Sequence, residues 1–130
     1  MQLSIELLIP LLTVFAASAI YPVSQTAGAQ VSFRPPPYVF AIVWPVLLIL
    51  LGYSWSLRPD LSLQYAALTL LLALWPAIFY YSPRLAFCEI ILTALATGIL
   101  IFQGEGLSSY LLIPLELWLS FASVLNFYTI

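Results

Sequence analysis

Five apolar segments, separated by polar breaks, account for most of the chain; they cover residues 3–21, 38–57, 61–81, 85–102 and 107–130. Each segment is close to the roughly 20 residues that a helix needs to cross the ~30 Å hydrocarbon core of a bilayer. The pattern therefore predicts five transmembrane helices with these bounds.

The breaks between the segments predict how the helices are connected. Three of them, residues 58–60, 82–84 and 103–106, are short and combine proline or glycine with a charged residue. Such breaks are typical of turns at a membrane surface, and short connections join antiparallel helices. The sequence thus predicts an all-α membrane protein, a single-domain five-helix up-and-down bundle over residues 1–130. The longest break, residues 22–37, predicts a lid loop that ends in a stiff triple proline.

Composition excludes several other classes of protein. The chain of 130 residues is 64% hydrophobic and 6% charged, with a mean hydropathy of +1.11. A soluble domain needs far more charge to cover its surface. With three Lys and Arg residues in total, the chain has no basic surface for binding nucleic acid. It has no histidine and a single cysteine, which disfavours a metal site and excludes a disulfide within the chain. We expect no covalent cofactor, no metal and no nucleic-acid partner.

The few charged residues bear on processing and orientation. Residues 17–19 resemble a signal-peptide cleavage site, but the segment before them carries Glu6 and lacks Lys and Arg. We therefore expect a retained first helix. Arg34 and Arg84 lie on the side of the C-terminus, whereas Arg58 lies on the other. The positive-inside rule favours a cytoplasmic C-terminus, in a bacterial inner membrane or an organellar membrane.

Prolines occur inside four of the predicted helices, at Pro10, Pro45, Pro76 and Pro114. Each removes a helical hydrogen bond, and the freed carbonyl has to find a partner inside the bundle. Two interpretations stay open. The prolines produce ordinary kinks, or the kinks near tryptophans splay helices 2, 3 and 5 around a cavity.

The tryptophans lie at related depths in different helices. Trp44 is about 9 Å from the lid-loop end of helix 2 at 1.5 Å per residue, and Trp75 lies at a similar depth in helix 3. Trp118 falls near the middle of helix 5, whereas Trp55 lies at the opposite end and is predicted to be an interfacial belt residue. Either Trp44 and Trp75 are belt anchors too, or the three form an aromatic pocket with indole N–H groups as polar handles.

Two carboxyl side chains fall within the predicted helices. Glu116 lies about nine residues into helix 5, so we expect it to face the interior, in a structural hydrogen bond or a functional role. Glu89, nearer the surface on helix 4, is within reach of Arg84, so we expect a structural pairing with it, with a functional role as the alternative.

Small residues recur on helix 3 at Thr69, Ala73 and Ala77, four residues apart. Rows of this kind allow helices to approach closely. They indicate either packing within the chain or a homodimer interface through helix 3.

Three stretches carry a resemblance to a known family. Residues 33–44 with 51–53, residues 75–80 and residues 112–126 follow one another in the order and spacing of its signatures on helices 2, 3 and 5. On these motifs the chain resembles the TspO/MBR family, the tryptophan-rich sensory proteins of bacteria and the translocator proteins of mitochondria.

The resemblance implies a five-helix bundle, often homodimeric, whose pocket binds porphyrins such as protoporphyrin IX and haem. By position, Trp44 and Trp118 match pocket tryptophans tied to light-dependent porphyrin breakdown in some bacterial members. The predicted ligand-binding residues are Trp44, Trp75, Trp118, Phe40, Phe79, Phe121, Ala122, Leu72 and Phe33.

The chain also departs from the family pattern. Leu72 replaces an asparagine, no Lys or Arg follows Tyr128 to complete a sterol-recognition pattern, and the lid loop lacks its common tryptophan. The resemblance favours a membrane receptor, sensor or carrier for tetrapyrroles or other flat apolar ligands, rather than an enzyme. A light-dependent porphyrin-degrading protein and a non-catalytic lipid-transport or assembly partner are the alternatives.

Overall fold

The computed structural model describes residues 5–21, 32 and 34–129, and the regular structure in them is helical. Its elements are a 3₁₀ turn Ile5–Leu7, α1 Ile9–Ile20, α2 Pro37–Leu57, a 3₁₀ turn Pro59–Leu61, α3 Ser62–Tyr81, α4 Pro83–Gln103, α5 Leu107–Tyr110 and α6 Ile113–Phe127. The short α5 and the longer α6 together form one span, Leu107–Phe127.

Four helical stretches are long and apolar enough to cross a membrane: Tyr38–Leu57, Pro59–Tyr81, Pro83–Gln103 and Leu107–Phe127. The first segment, Ile5–Ile20, is apolar but shorter. The predicted all-α bundle of five helices is therefore confirmed, with one short member.

The helices close a ring whose order differs from their order in the chain. Helix α1 packs against α2 and α3, α3 packs against α4, α4 packs against α6, and the α5–α6 span returns to α2. We call the end where α1 ends and α2 begins the loop end, and the end with the turn Pro59–Leu61 the turn end. Buried leucines, among them Leu48, Leu68 and Leu115, fill the interior between the helices.

Two of the four prolines are placed differently from the sequence prediction. Only Pro45 and Pro76 lie inside helices. Pro10 occupies the first turn of α1, and Pro114 occupies the first turn of α6, after a break at residues 111–112. A first-turn proline removes no hydrogen bond, because that N–H has no partner within the helix anyway. The prediction of four internal kinks is thus wrong for these two residues.

The turn end is held by a buried polar cluster rather than by a tryptophan at the lipid interface. The Ser54 hydroxyl donates to the Ser108 carbonyl at 2.7 Å, and it lies 2.7 Å from the hydroxyl of Tyr65. Because Ser54 has one proton, Tyr65 is the donor of the second bond. Trp55 is only 6% exposed; its ring stacks on Tyr65 at 5.9 Å and its N–H donates to Ser62. The predicted belt position of Trp55 is therefore wrong.

The small-residue row on α3 contributes to packing within the chain. Thr69 is 3% exposed, whereas Ala73 and Ala77 are half-buried. Helix α3 packs against α4 on one side and α1 on the other. A homodimer through this row stays a prediction, with Ala73 and Ala77 as its most accessible members.

Glu116 is half-buried and points towards α4. Its Oε2 atom lies 3.5 Å from where a Cβ on Gly98 would stand, and it has no hydrogen-bond partner among the described residues. The carboxyl group thus lies between α4 and α6, at an ordinary contact distance from the place that a side chain on Gly98 would take.

Candidate ligand-binding site

A cavity of about 310 Å³ lies between the helices towards the loop end. All five spans contribute to its wall: α1 through Val14, Phe15 and Ser18; α2 through Phe40, Ala41, Trp44 and Pro45; α3 through Leu72, Trp75, Pro76 and Phe79; α4 through Glu89, Ile90 and Thr93; and α6 through Trp118, Leu119, Ala122, Leu125, Asn126 and Thr129. The wall is mostly apolar and aromatic with a few polar groups, as in small-molecule sites generally.

Trp118 of α6 meets two aromatic side chains of α2. Its ring lies 6.3 Å from that of Trp44 at 87°, and 5.5 Å from that of Phe40 at 74°. Phe40 and Trp44 are four residues apart and therefore share one face of α2. Edge-to-face pairs of this kind each stabilise a structure by about 0.5–1.5 kcal/mol beyond the area that they bury. The indole Nε1 of Trp118 is buried without a hydrogen-bond partner in the described part of the chain.

Trp75 is fixed by an amide that closes the cavity at the loop end. Its indole N–H donates to Asn126 Oδ1 at 3.1 Å, and the Asn126 amide donates to the Pro83 carbonyl at 3.2 Å and to Thr129 at 3.3 Å. The Trp75 ring also packs on Phe79 of the next turn at 4.9 Å. Asn126 thus ties α3, α6 and the start of α4 together around one side of the cavity.

A carboxyl group forms the polar part of the wall. Glu89 is 9% exposed, and its Oε1 atom accepts a hydrogen bond of 2.8 Å from the Thr93 hydroxyl, one turn further along α4. Its Oε2 atom is buried, and no described residue donates to it. The predicted pairing of Glu89 with Arg84 is therefore wrong, because the side chain turns into the bundle while Arg84 is exposed.

The two prolines inside helices also belong to the cavity wall. A proline has no N–H to donate to the carbonyl four residues earlier in a helix. For Pro45 and Pro76 these carbonyls belong to Ala41 and Leu72, and all four residues line the cavity. Helices with an internal proline next to a tryptophan therefore line the cavity, on α2 and α3.

Seven of the nine residues predicted to bind a ligand line this cavity; they are Trp44, Trp75, Trp118, Phe40, Phe79, Leu72 and Ala122. Phe121 packs on Trp118 at 5.5 Å and is not in the wall. Phe33 lies outside the described residues. Next to it, the Arg34 guanidinium lies 5.0 Å from the centre of the Phe40 ring, in a cation–π contact at the loop end.

Sequence reasoning missed Glu89, Thr93 and Asn126 as parts of the wall. The spacing of Glu89 and Thr93, four residues apart in an otherwise apolar helix, is the signal that one polar face points inward. Asn126 lies five residues beyond Phe121, in the segment that carries the helix 5 signature.

The sequence pattern of the TspO/MBR family matches residues 6–130, which is nearly the whole chain. The chain belongs to the TspO/MBR family. Because its helices are also long and apolar enough to span a bilayer, it is an integral membrane protein.

Individual TspO/MBR relatives match over most of their own length. Protein CrtK of Rhodobacter capsulatus is 30% identical over 111 residues, covering 74% of this chain and 69% of the relative. The translocator protein of Sus scrofa is 30% identical over 118 residues, covering 78% and 70%. Tryptophan-rich protein TspO of Chlorobaculum tepidum is 31% identical over 117 residues, covering 78% and 74%.

Proposed function

We propose that this protein is a membrane receptor, sensor or carrier that binds tetrapyrroles, protoporphyrin IX above all, in the cavity between its helices. The contact of Trp118 with Trp44 and Phe40 carries this proposal, because it places aromatic rings from two helices in the wall of one cavity. Flat apolar rings gain favourable contacts from such walls. The Trp118 N–H, which has no partner among the described residues, supplies a donor for a ligand oxygen.

The size of the cavity bears on how a tetrapyrrole fits. At about 310 Å³ it lies near the lower limit of the ~300–1,000 Å³ typical of small-molecule sites. We therefore expect one part of the porphyrin ring to enter the cavity beside Trp44 and Trp118, and the remainder to project towards the loop end.

The side chains of the wall favour a metal-free porphyrin over haem. Proteins hold haem iron through His, Cys, Met or Tyr. The chain has no histidine, and the lining residues named above include none of the other three types. Titration of the purified protein with protoporphyrin IX and with haem should give the higher affinity for protoporphyrin IX.

Porphyrin absorbance, measured on the full chain in detergent, tests the proposal independently of which tryptophans are present. We expect saturable binding to the wild type and weaker binding to Trp118→Phe. Trp55→Phe is the matched control, because Trp55 lies at the turn end and outside the cavity wall. A titration that does not saturate, or that Trp118→Phe and Trp55→Phe change equally, would contradict the proposal.

A second candidate function is light-dependent breakdown of the bound porphyrin. The 6.3 Å contact between Trp44 and Trp118 favours it, because two oxidisable rings would lie beside the same ligand. Illumination of protein saturated with porphyrin should then remove porphyrin absorbance faster than in Trp44→Phe/Trp118→Phe at equal saturation. Equal rates of porphyrin loss would indicate a binding protein without photochemistry. Absence of porphyrin binding would instead favour a role in lipid transport or assembly.

The orientation that we propose places the C-terminus in the cytoplasm. Arg34 and Arg84 lie at the loop end with the end of α6, whereas Arg58 lies at the turn end. The loop end carries two arginines and the turn end one, so the positive-inside rule favours the loop end as the cytoplasmic side, in a bacterial inner membrane or an organellar membrane. Reporter fusions at the C-terminus and in residues 58–60 would test this orientation.

A further inference from the structure

One carboxyl oxygen of Glu89 has no hydrogen-bond donor among the described residues. The side chain is 9% exposed and lines the cavity, and the oxygen without a donor is Oε2. Buried polar atoms in native proteins are hydrogen-bonded with few exceptions, and each exception requires an explanation.

The donors of Thr93, Trp75 and Asn126 in the cavity wall are already committed. The single proton of the Thr93 hydroxyl is shared between Glu89 Oε1 at 2.8 Å and the Glu89 main-chain carbonyl at 2.9 Å. Across the cavity, the Trp75 N–H donates to Asn126, and the Asn126 amide donates to Pro83 and Thr129. None of these hydrogens is available to Oε2, and an N–H group of a ligand in the cavity is a suitable donor for it.

Two main-chain carbonyls of lining residues lack their usual helical donor. Pro45 and Pro76 cannot donate to the carbonyls of Ala41 and Leu72, and these four residues line the cavity together with Glu89. The lining residues thus carry acceptors, besides Glu89, that their own helices leave without the usual N–H donor.

We propose that Glu89 makes the cavity selective for flat aromatic ligands that carry an N–H group on their edge, as indole- and carbazole-type heterocycles do. The proposal rests on the proposed function, that the cavity admits flat apolar ligands. The carboxyl group can turn Oε2 towards the ligand at little cost, because the terminal torsion of glutamate is broad. The Thr93 hydroxyl still donates to Oε1 and so holds the rest of the Glu89 side chain in place.

A pair of probes of equal shape isolates this hydrogen bond. Carbazole carries an N–H where dibenzofuran carries an ether oxygen, and both are flat tricyclic molecules. Binding of each to the full chain in detergent can be measured by equilibrium dialysis. A net hydrogen bond of ordinary strength predicts roughly a fivefold preference of the wild type for carbazole.

Two substitutions of Glu89 should change this preference in different ways. Glu89→Met keeps the length of the side chain but removes both oxygens, so carbazole and dibenzofuran should bind within about twofold of each other. In Glu89→Gln the Thr93 hydroxyl holds the amide oxygen, and the amide NH₂ takes the place of Oε2. This variant should therefore prefer dibenzofuran, and it keeps the test valid if Glu89→Met does not fold.

Glu116→Gln is the matched control, since Glu116 is the other carboxyl group with an unpartnered buried oxygen and it lies outside the cavity wall. It should retain the wild-type preference for carbazole. Saturable but equal binding of the two probes to the wild type would overturn the role of Glu89 and leave the proposed function intact. An unchanged preference in Glu89→Gln would overturn it too, whereas failure of both probes and of protoporphyrin IX to bind would overturn both proposals.

Discussion

The indole ring of Trp118 stands almost perpendicular to that of Trp44, with their centres 6.3 Å apart and their planes at 87°. The contact joins α6 to α2, the two helices whose aromatic side chains form one side of the cavity. The edge of one ring therefore meets the face of the other, which is a favoured arrangement of two aromatic quadrupoles. Each ring thus fixes the position of the other.

This mutual support predicts that the two tryptophans act together in binding protoporphyrin IX. Trp44→Phe and Trp118→Phe should each lower the affinity, and the double variant should lose less than the sum of the two. A coupling of about 0.5–1.5 kcal/mol is expected from one aromatic pair. Porphyrin absorbance titrations of the four proteins measure it. Strict additivity would indicate that the rings contact the ligand independently.

The hydrogen bond between Trp75 and Asn126 predicts an effect on stability. Asn126→Leu removes the acceptor of the Trp75 N–H and the donor to the Pro83 carbonyl. Leaving buried polar groups unpaired costs about 1–3 kcal/mol, so the unfolding temperature in detergent should fall by several degrees. Trp75→Phe removes the unpaired N–H, and the Asn126→Leu/Trp75→Phe double variant should therefore lose less than the two losses added together. Fully additive losses would argue against the bond.

The apolar pattern of the sequence predicts where the helices lie along the chain better than it predicts which way their side chains face. Apolar runs specify where helices cross, because the hydrocarbon thickness sets their length, and the predicted spans agree with the observed helices to within a few residues. Depth along a helix also follows from counting residues. For this reason, Trp44, Trp75 and Trp118 could be placed at related depths in advance, with a shared pocket as one of two open interpretations, and all three line the cavity.

Rotation about the helix axis is harder to predict in a membrane protein, because lipid-facing and interior positions are both apolar. Trp55 and Glu89 were placed at the right depth but on the wrong face: each turns into the bundle. Pro10 and Pro114 were misjudged for another reason. An apolar run does not reveal that a helix begins within it, and so a first-turn proline looks like an internal one.

The polar cluster at the turn end predicts a loss of stability without a loss of ligand binding. Ser54→Ala leaves the Tyr65 hydroxyl and the Ser108 carbonyl without their shared partner in the interior. The expected cost is about 1–3 kcal/mol, seen as a lower unfolding temperature. Ser56→Ala is the control, because the Ser56 hydroxyl donates only to the carbonyl of Tyr53 one turn earlier. Porphyrin affinity at a temperature where both variants are folded should equal that of the wild type.

The last prediction concerns the point at which the N-terminal segment crosses α2. A Cβ on Gly52 would overlap the main-chain carbonyl of Leu7 and approach that of Glu6, so the two backbones meet without room for a methyl group. Gly52→Ala must displace backbone rather than a flexible side chain, and overpacking of this kind costs about 1–3 kcal/mol. We expect a lower unfolding temperature and faster proteolysis near residues 5–8.

Gly98→Ala separates this steric effect from the general consequence of replacing a helical glycine. On α4 the nearest atom to the new methyl group is Glu116 Oε2 at 3.5 Å, an ordinary contact with the end of a side chain. Alanine also favours the helix by about 1 kcal/mol over glycine, so Gly98→Ala should leave the unfolding temperature unchanged or raise it. Equal stability of the two variants would contradict the close approach of the Leu7 backbone to Gly52.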